Sequence, residues 1–428
     1  MRRPSILLRL LALALLLLAA ACTENIESGA ACPQLCPTEN VPVRDTTLDA
    51  VVFDSTLVGL PLPGEPAYVL LASRPRPDTL EARPIFRFDS LPSSYFPVGG
   101  TDSVKIAAVD SSFLVVHIDT LSKRLSGSAT ITAYDVDTVA AVDSSAAALN
   151  TLFRPDRQIA SYTFVADSLK TDSLRIPLSD SALAAKTSGS ARLRIGLRIT
   201  SGTGTRLRIV SSQGGTSSLA AHLAFDPTAD TTYAPIVVNQ ASATPGERNI
   251  TAGLRDFTIV AAGALPSFGP DLVVGGLPSR RTFLRFSVPT RLVDSSTIVR
   301  AVLQLTQRPV ASAESADTVT IDADVVVADQ SISDLLRSSE LSAAGATFGV
   351  DSVRLSPADS GARTISLVNV VRAWHTLNAS TQRAIVLRSR LEGSQAGGVR
   401  FYSIEAPLLA QRPRLRVSYI PRTEFALP

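Results

Sequence analysis

Alternation of apolar and polar side chains, over runs too short for ordinary helices, is what most constrains this chain. In Arg192-Leu193-Arg194-Ile195-Gly196-Leu197-Arg198-Ile199 every second residue is a large aliphatic. Thr130-Ile131-Thr132-Ala133-Tyr134-Asp135-Val136 and Val319-Thr320-Ile321-Asp322-Ala323-Asp324-Val325 follow the same period. A period of two sends successive side chains to opposite faces of a strand, so one face is built for a core. Between such runs lie Gly, Pro and Asp-Ser or Asp-Thr pairs, at Asp54, Asp78, Asp102, Asp119, Asp167, Asp172, Asp317 and Asp351. The short Asp side chain bonds to nearby backbone and favours turns, so these positions are expected to be turns. No run has the Asp/Asn and Gly spacing of a calcium loop. Ser201-Gly202-Thr203-Gly204 reads as a hairpin turn. Helical spacing is confined to brief segments at 180–186, 332–341 and 367–377. The pattern predicts an all-β fold of antiparallel, jelly-roll-like sandwiches.

The pattern also occurs twice. Ile85-Phe86-Arg87-Phe88-Asp89 corresponds to Phe283-Leu284-Arg285-Phe286-Ser287, and the extended piece at 67–71 to that at 271–274. Asp110-Ser111-Ser112 before 113–116 corresponds to Asp294-Ser295-Ser296 before 298–305. Residues 194–199 then match 384–389, 208–211 match 400–403, and 222–227 match 416–421. The order is the same throughout and the offset is that of a domain of ordinary size. This predicts two tandem β-sandwich domains, at 46–230 and 246–421.

The second copy has a more specific order. It runs through Phe283-Leu284-Arg285-Phe286, Ala301-Val302-Leu303-Gln304-Leu305, and Ile365-Ser366-Leu367-Val368-Asn369-Val370-Val371-Arg372-Ala373-Trp374. A strand at 384–388 follows, then Phe401-Tyr402-Ser403-Ile404-Glu405-Ala406 and Pro413-Arg414-Leu415-Arg416-Val417-Ser418-Tyr419. These elements resemble the DNRLRE-type β-sandwich domain, also classed among carbohydrate-binding modules. The resemblance implies a jelly-roll-like sandwich of exported bacterial proteins, some of which bind acidic polysaccharide. It brings no ligand-contact motif with it. The first copy keeps Phe86-Arg87-Phe88 but lacks the Trp and the Ser-Glu-Ala-like element.

The amino terminus reads as an address. Arg2 and Arg3 precede an apolar run that ends in Ala19-Ala20-Ala21 before Cys22. This is a secretory signal with small residues at the cleavage site, and it is too short for a membrane span. Leu18-Ala19-Ala20-Ala21-Cys22 resembles a bacterial lipobox. That implies a signal peptide at 1–21, lipid on Cys22, a tether at 22–45 and attachment to membrane lipid. Thr23 after the cysteine, rather than Asp, favours the outer membrane by the usual sorting rule. Two or more acyl chains are needed to anchor a protein stably. Loss of the three arginines in the first 21 residues takes the formal charge from +3 to zero, so composition speaks against nucleic-acid binding. Cys32 and Cys36 remain as a local pair. An oxidising compartment favours a disulfide between them, the alternative being two free thiols in the tether.

Catalytic chemistry is not legible. His117, His222 and His375 have no recognisable Ser or Asp partners and read as structural or surface residues. No phosphate loop, metal set or cofactor motif is found. Nothing singles out a pair of glycosidase carboxylates among the acidic residues. The notable polar feature is arginine. Strand alternation puts Arg192, Arg194 and Arg198 opposite the aliphatic face, and a hairpin would bring Arg206 and Arg208 alongside. Arg388, Arg390, Arg400, Arg414 and Arg416 repeat the theme in the second copy. Like charges on neighbouring strands need counter-charges, and arginine forks suit carboxylate or phosphate. One reading is an anion-binding groove formed by Arg194, Arg198, Arg206, Arg208, Arg388, Arg390 and Arg400. The other is a solvated face laced with ion pairs. Trp374 lies at helical spacing with Leu367, Val370 and Val371 and is expected in the core rather than on a sugar. The function expected is that of a non-enzymatic surface lipoprotein binding polysaccharide or another envelope component. The competing expectation is a structural or assembly protein of the envelope that contacts other proteins.

Overall fold

The computed structural model describes residues 43–58, 64–74, 80–120, 123–137, 145–166, 169, 172–189, 191–214, 219–228, 234–241, 254–261, 268–310, 318–326, 351–376 and 383–421. Cys22, Cys32, Cys36, the signal segment, all but the last three residues of the tether, the expected helix at 332–341, and Asp78, Asp167 and Asp317 lie outside them. The described chain is all-β, and the paired strands are antiparallel.

Two sandwich-like bodies result. In the first, six strands lie in the order Thr205–Val210, Tyr68–Arg74, Leu80–Phe88, Leu193–Ser201, Ser128–Asp135, Gln158–Val165. A four-stranded sheet runs Ser173–Pro177, Ser111–His117, His222–Asp226, Ile236–Asn239. Alternate residues of both sheets meet in one core. Phe86, Ile131, Ile195 and Leu207 come from one side, and Leu114, Val116, Leu223 and Phe225 from the other. In the second body Leu284, Phe286, Ile321, Ile385, Leu303, Ile365 and Leu415 form the corresponding core. The neighbours match as well. Arg280–Phe286 lies beside Arg383–Ser389, as Leu80–Phe88 lies beside Leu193–Ser201. Ser296–Arg308 lies beside Arg414–Pro421, as Ser111–His117 lies beside His222–Asp226.

Strand pairing crosses the division drawn at 46–230 and 246–421. Arg44–Leu48 pairs with Arg414–Pro421, and Val51–Val58 runs along Arg280–Phe286. Both belong to the second body although they open the described chain. The equivalent places in the first body are taken by Ile236–Asn239, on His222–Asp226, and by Asp256–Ala261, on Leu80–Phe88. The two repeats have exchanged their leading strand pairs. One device ties down both exchanged strands. The Asp54 carboxylate accepts the Ile404 N–H at 2.8 Å, and that of Asp256 accepts the Ser212 N–H at 2.7 Å. Ile404 and Ser212 follow the matched serines Ser403 and Ser211. The hydroxyl of each serine in turn accepts the N–H two residues on, at 3.1 Å in both cases.

Several expectations change. Asp54 and Asp351 lie in strands, not turns. Asp351 accepts the Asn369 and Val370 N–H groups at 3.0 and 3.4 Å, and so caps the helix Val368–Thr376. That helix and Asp180–Thr187 occur where their spacing placed them. Trp374 is 1% exposed and packs on Phe286 with ring centroids 5.2 Å apart. The Ser201–Gly204 segment is not a hairpin between paired strands, because Tyr68–Arg74 and Leu80–Phe88 lie between the strands it joins. The outer face of the first sheet is not solvated throughout. The helix Ala146–Asn150, capped by the Ser145 hydroxyl on the Ala148 N–H, lays Leu149 over it. Tyr134, Val136, Phe257 and Ile259 complete this second apolar layer. Gly196 serves the same packing: a Cβ there would sit 2.4 Å from Cζ of Phe153.

Candidate functional site

The arginines singled out by alternation do not converge on one groove. Arg194 is fully buried, which corrects its expected solvent exposure. Arg192 meets Asp137, its Nε at 2.7 Å. Arg198 grips Glu81 with both arms, at 3.1 and 2.7 Å, and Arg83 shares that carboxylate. The hydrogen bond and charge of Glu81 raise the Arg198 pKa above its ordinary value. Arg206 meets Arg124 through a backbone bridge, and Arg208 pairs with Asp119 over the Tyr68 ring. Arg388 binds Asp324 and Arg390 binds Asp322, while Arg414 and Arg416 reach Asp49 and Asp45. Burial works against the charge of Arg388, but the hydrogen bond and charge of Asp324 outweigh it and raise its pKa. Most of these arginines thus already hold an acidic partner within the protein.

Arg400 is different. Its strand, Gly398–Phe401, lies between Leu272–Gly275 and the end of Ser296–Arg308, so that Val273 and Arg308 are its register partners. Two arginines directly opposite one another repel. Asp271, whose side chain is 4% exposed, receives both: Arg308 Nη1 at 2.9 and 2.7 Å, and the Arg400 Nε. A third arginine arrives from the next strand. Gly275 and Gly276, at φ of 82° and 87°, turn the chain so that Arg280 opens Arg280–Phe286 opposite Gly275. The Arg280 guanidinium lies 5.0 Å from the Phe268 ring centroid, and that of Arg400 lies 5.5 Å from the same centroid. Arg308 lies 4.8 Å from the Tyr402 centroid. Among the described residues no carboxylate pairs with Arg280, and burial pulls its pKa below the ordinary value.

The cluster thus holds three guanidiniums and one carboxylate, with two aromatic rings as a floor. The rings attract the cations through their faces, but they do not neutralise them. Arg308 and Arg400 keep 36% and 24% of their side-chain surface exposed, so an incoming anion can reach them. Planar guanidiniums in this setting suit a carboxylate, sulfate or phosphate. Of this set, alternation had singled out Arg400 alone. Arg280 follows a visible Gly-Gly turn, but nothing in the sequence showed that no described carboxylate would pair with it.

The same corner of the first body is balanced, Arg208 having Asp119. Another arginine of the second body, Arg281, is also paired: it grips Glu392 at 2.8 and 2.6 Å, both side chains being 6% exposed. No group of three or more His, Cys, Asp or Glu side chains is placed to hold a metal ion among the described residues. No known protein family matches the chain, and no curated protein matches it either.

Proposed function

We propose that the protein is a membrane-anchored, exported lipoprotein whose β body binds an anionic polysaccharide or similar envelope polymer without chemically altering it. The Arg280–Arg308–Arg400 cluster carries this reading. Among the described residues it has an excess of two positive charges over Asp271, and a buried guanidinium without a counter-ion among them is costly. An anionic group seated on Arg280 would remove that cost. The rings of Phe268 and Tyr402 supply apolar surface of the kind that packs against sugar rings. The lipobox-like sequence at Cys22 and the tether supply the display.

Binding of polygalacturonate by the full chain carrying Cys22→Ser, with dextran as the neutral control, tests the reading. Binding to polygalacturonate alone, weakening steadily with added salt and lost in Arg280→Ala, is the expected result. Arg280 is the cleanest position because no ion pair among the described residues is broken. Equal binding by the Arg280→Ala chain, or no preference for the charged polymer, would overturn it.

A second reading rests on a different observation. The paired segments Ser94–Tyr95 and Val104–Lys105 carry Phe96, Val98 and Val104 at 60%, 67% and 43% exposure. An apolar tip of this kind suits contact with another envelope protein.

A further inference from the structure

Two histidines, on the paired strands Ser111–His117 and His222–Asp226, are neighbours on the outer face of the first body. His222 pairs in register with Val115, two residues before His117, so the two side chains form a diagonal cross-strand pair. Their ring centroids are 6.4 Å apart with planes inclined by 36°. Each Nδ1 is bound to a backbone carbonyl: His117 to Leu219 at 3.1 Å, His222 to Ala220 at 3.3 Å. A carbonyl oxygen only accepts, so both Nδ1 atoms carry the proton. In the neutral rings this fixes both Nε2 atoms as bare lone pairs, and no other described residue bonds to them. Both rings are half-buried, hence accessible and held in place.

This is the arrangement that prepares imidazole for a metal. Metal-bound histidines typically donate their other ring N–H to a backbone carbonyl or carboxylate, which orients the ring and fixes the tautomer. With metal–nitrogen bonds of about 2.0–2.1 Å, two rings sharing one ion have centres about 4.5–6.5 Å apart, depending on the angle at the metal. The observed 6.4 Å stands at the open end of that span, where the two nitrogens face each other across the ion; a tetrahedral or cis arrangement draws the rings closer by about 1–2 Å. We propose that His117 and His222 form a two-imidazole site for a divalent transition-metal ion of the Ni2+, Cu2+ and Zn2+ class, with water completing the shell. Imidazole donors suit these ions, whereas hard cations such as Ca2+ and Mg2+ prefer shells of oxygen. The site stands apart from the arginine cluster, so it holds or fails independently of anion binding.

The test uses the full chain, purified without a polyhistidine tag and carrying Cys22→Ser, Cys32→Ser and Cys36→Ser to remove thiolate ligands. Isothermal titration with NiCl2 should show one equivalent bound. His117→Ala and His222→Ala should each weaken it at least tenfold, and His375→Ala should leave it unchanged. The Cu2+ complex gives a second readout that needs no substitution: its electron paramagnetic resonance spectrum should show hyperfine coupling to two equivalent imidazole nitrogens. Unchanged Ni2+ binding in either single variant, no binding in the parent chain, or coupling to a single nitrogen would each overturn the proposal.

Discussion

Asp256 offers the most direct test of the strand exchange. It is 1% exposed, opens the strand Asp256–Ala261, and holds the Ser212 N–H at 2.7 Å in a body that its own repeat does not otherwise build. Asp256→Ala removes that acceptor and leaves a buried N–H unmet, a loss of about 1–3 kcal/mol. Asp256→Asn keeps an oxygen in place and removes only the charge. Burial, opposed mainly by the Ser212 hydrogen bonds, raises the Asp256 pKa above its ordinary value. The folded state therefore holds the proton more tightly than the unfolded chain, whose carboxyl titrates near about 3.9. This contribution favours folding most below about pH 4. It falls as the pH rises towards the folded-state pKa and is level above it. Asp256→Asn should accordingly be more stable than the parent at pH 7, with the advantage gone below about pH 4; each unit of pKa elevation is about 1.4 kcal/mol. Denaturant unfolding followed by far-UV circular dichroism and by fluorescence of the single tryptophan, Trp374, measures both effects. The fluorescence probe sits in the second body, so it also reports whether the two bodies unfold together. The reasoning fails if Asp256→Ala costs less than about 0.5 kcal/mol, or if Asp256→Asn loses as much as Asp256→Ala at every pH.

Glu392→Ala strands the Arg281 charge in a site where both partners are 6% exposed; a loss of about 3–5 kcal/mol in denaturant unfolding is expected. The paired change Arg281→Met with Glu392→Leu should recover most of that loss. Trp374→Ala, which empties the core beside Phe286, should cost about 3–5 kcal/mol, measured by the circular dichroism midpoint. Cys22→Ser should release the protein from the membrane fraction; unchanged retention on fractionation would refute the lipid anchor.

The strands and their inward faces were legible because a period of two is local. Leu193, Ile195, Leu197 and Ile199 are buried as their spacing required. So is Trp374, whose helix follows from Leu367, Val370 and Val371. Partner choice is not local. Val51–Val58 carries no signal that it pairs with Arg280–Phe286, some 230 residues on, rather than with the strands that follow it directly. Arg194 was misplaced for a related reason: alternation gives the side of the strand, but what packs over that side decides whether it meets water. The arginine cluster was least legible. Arg280, Arg308 and Arg400 come from three strands, and Phe268, Asp271 and Tyr402 from the segments beside them; only the register of the strands sets three guanidiniums around one carboxylate.

The exchanged strands also set the path of mechanical load. Any pull transmitted from residues 1–42 enters at Arg44 and passes along Arg44–Leu48 and Val51–Val58 into the second body. Val51–Val58 is held by a seven-pair register to Arg280–Phe286, the strand that begins with Arg280 itself. Antiparallel ladder bonds lie across the strand, so a pull along it loads them together rather than one by one. Tension between the amino-terminal segment and a polymer held at Arg280 would be borne first by the five-pair ladder of Arg44–Leu48 on Arg414–Pro421 and then by this lap joint. The first body, though it comes earlier in the chain, would hang outside the loaded line and keep its fold while the second resists.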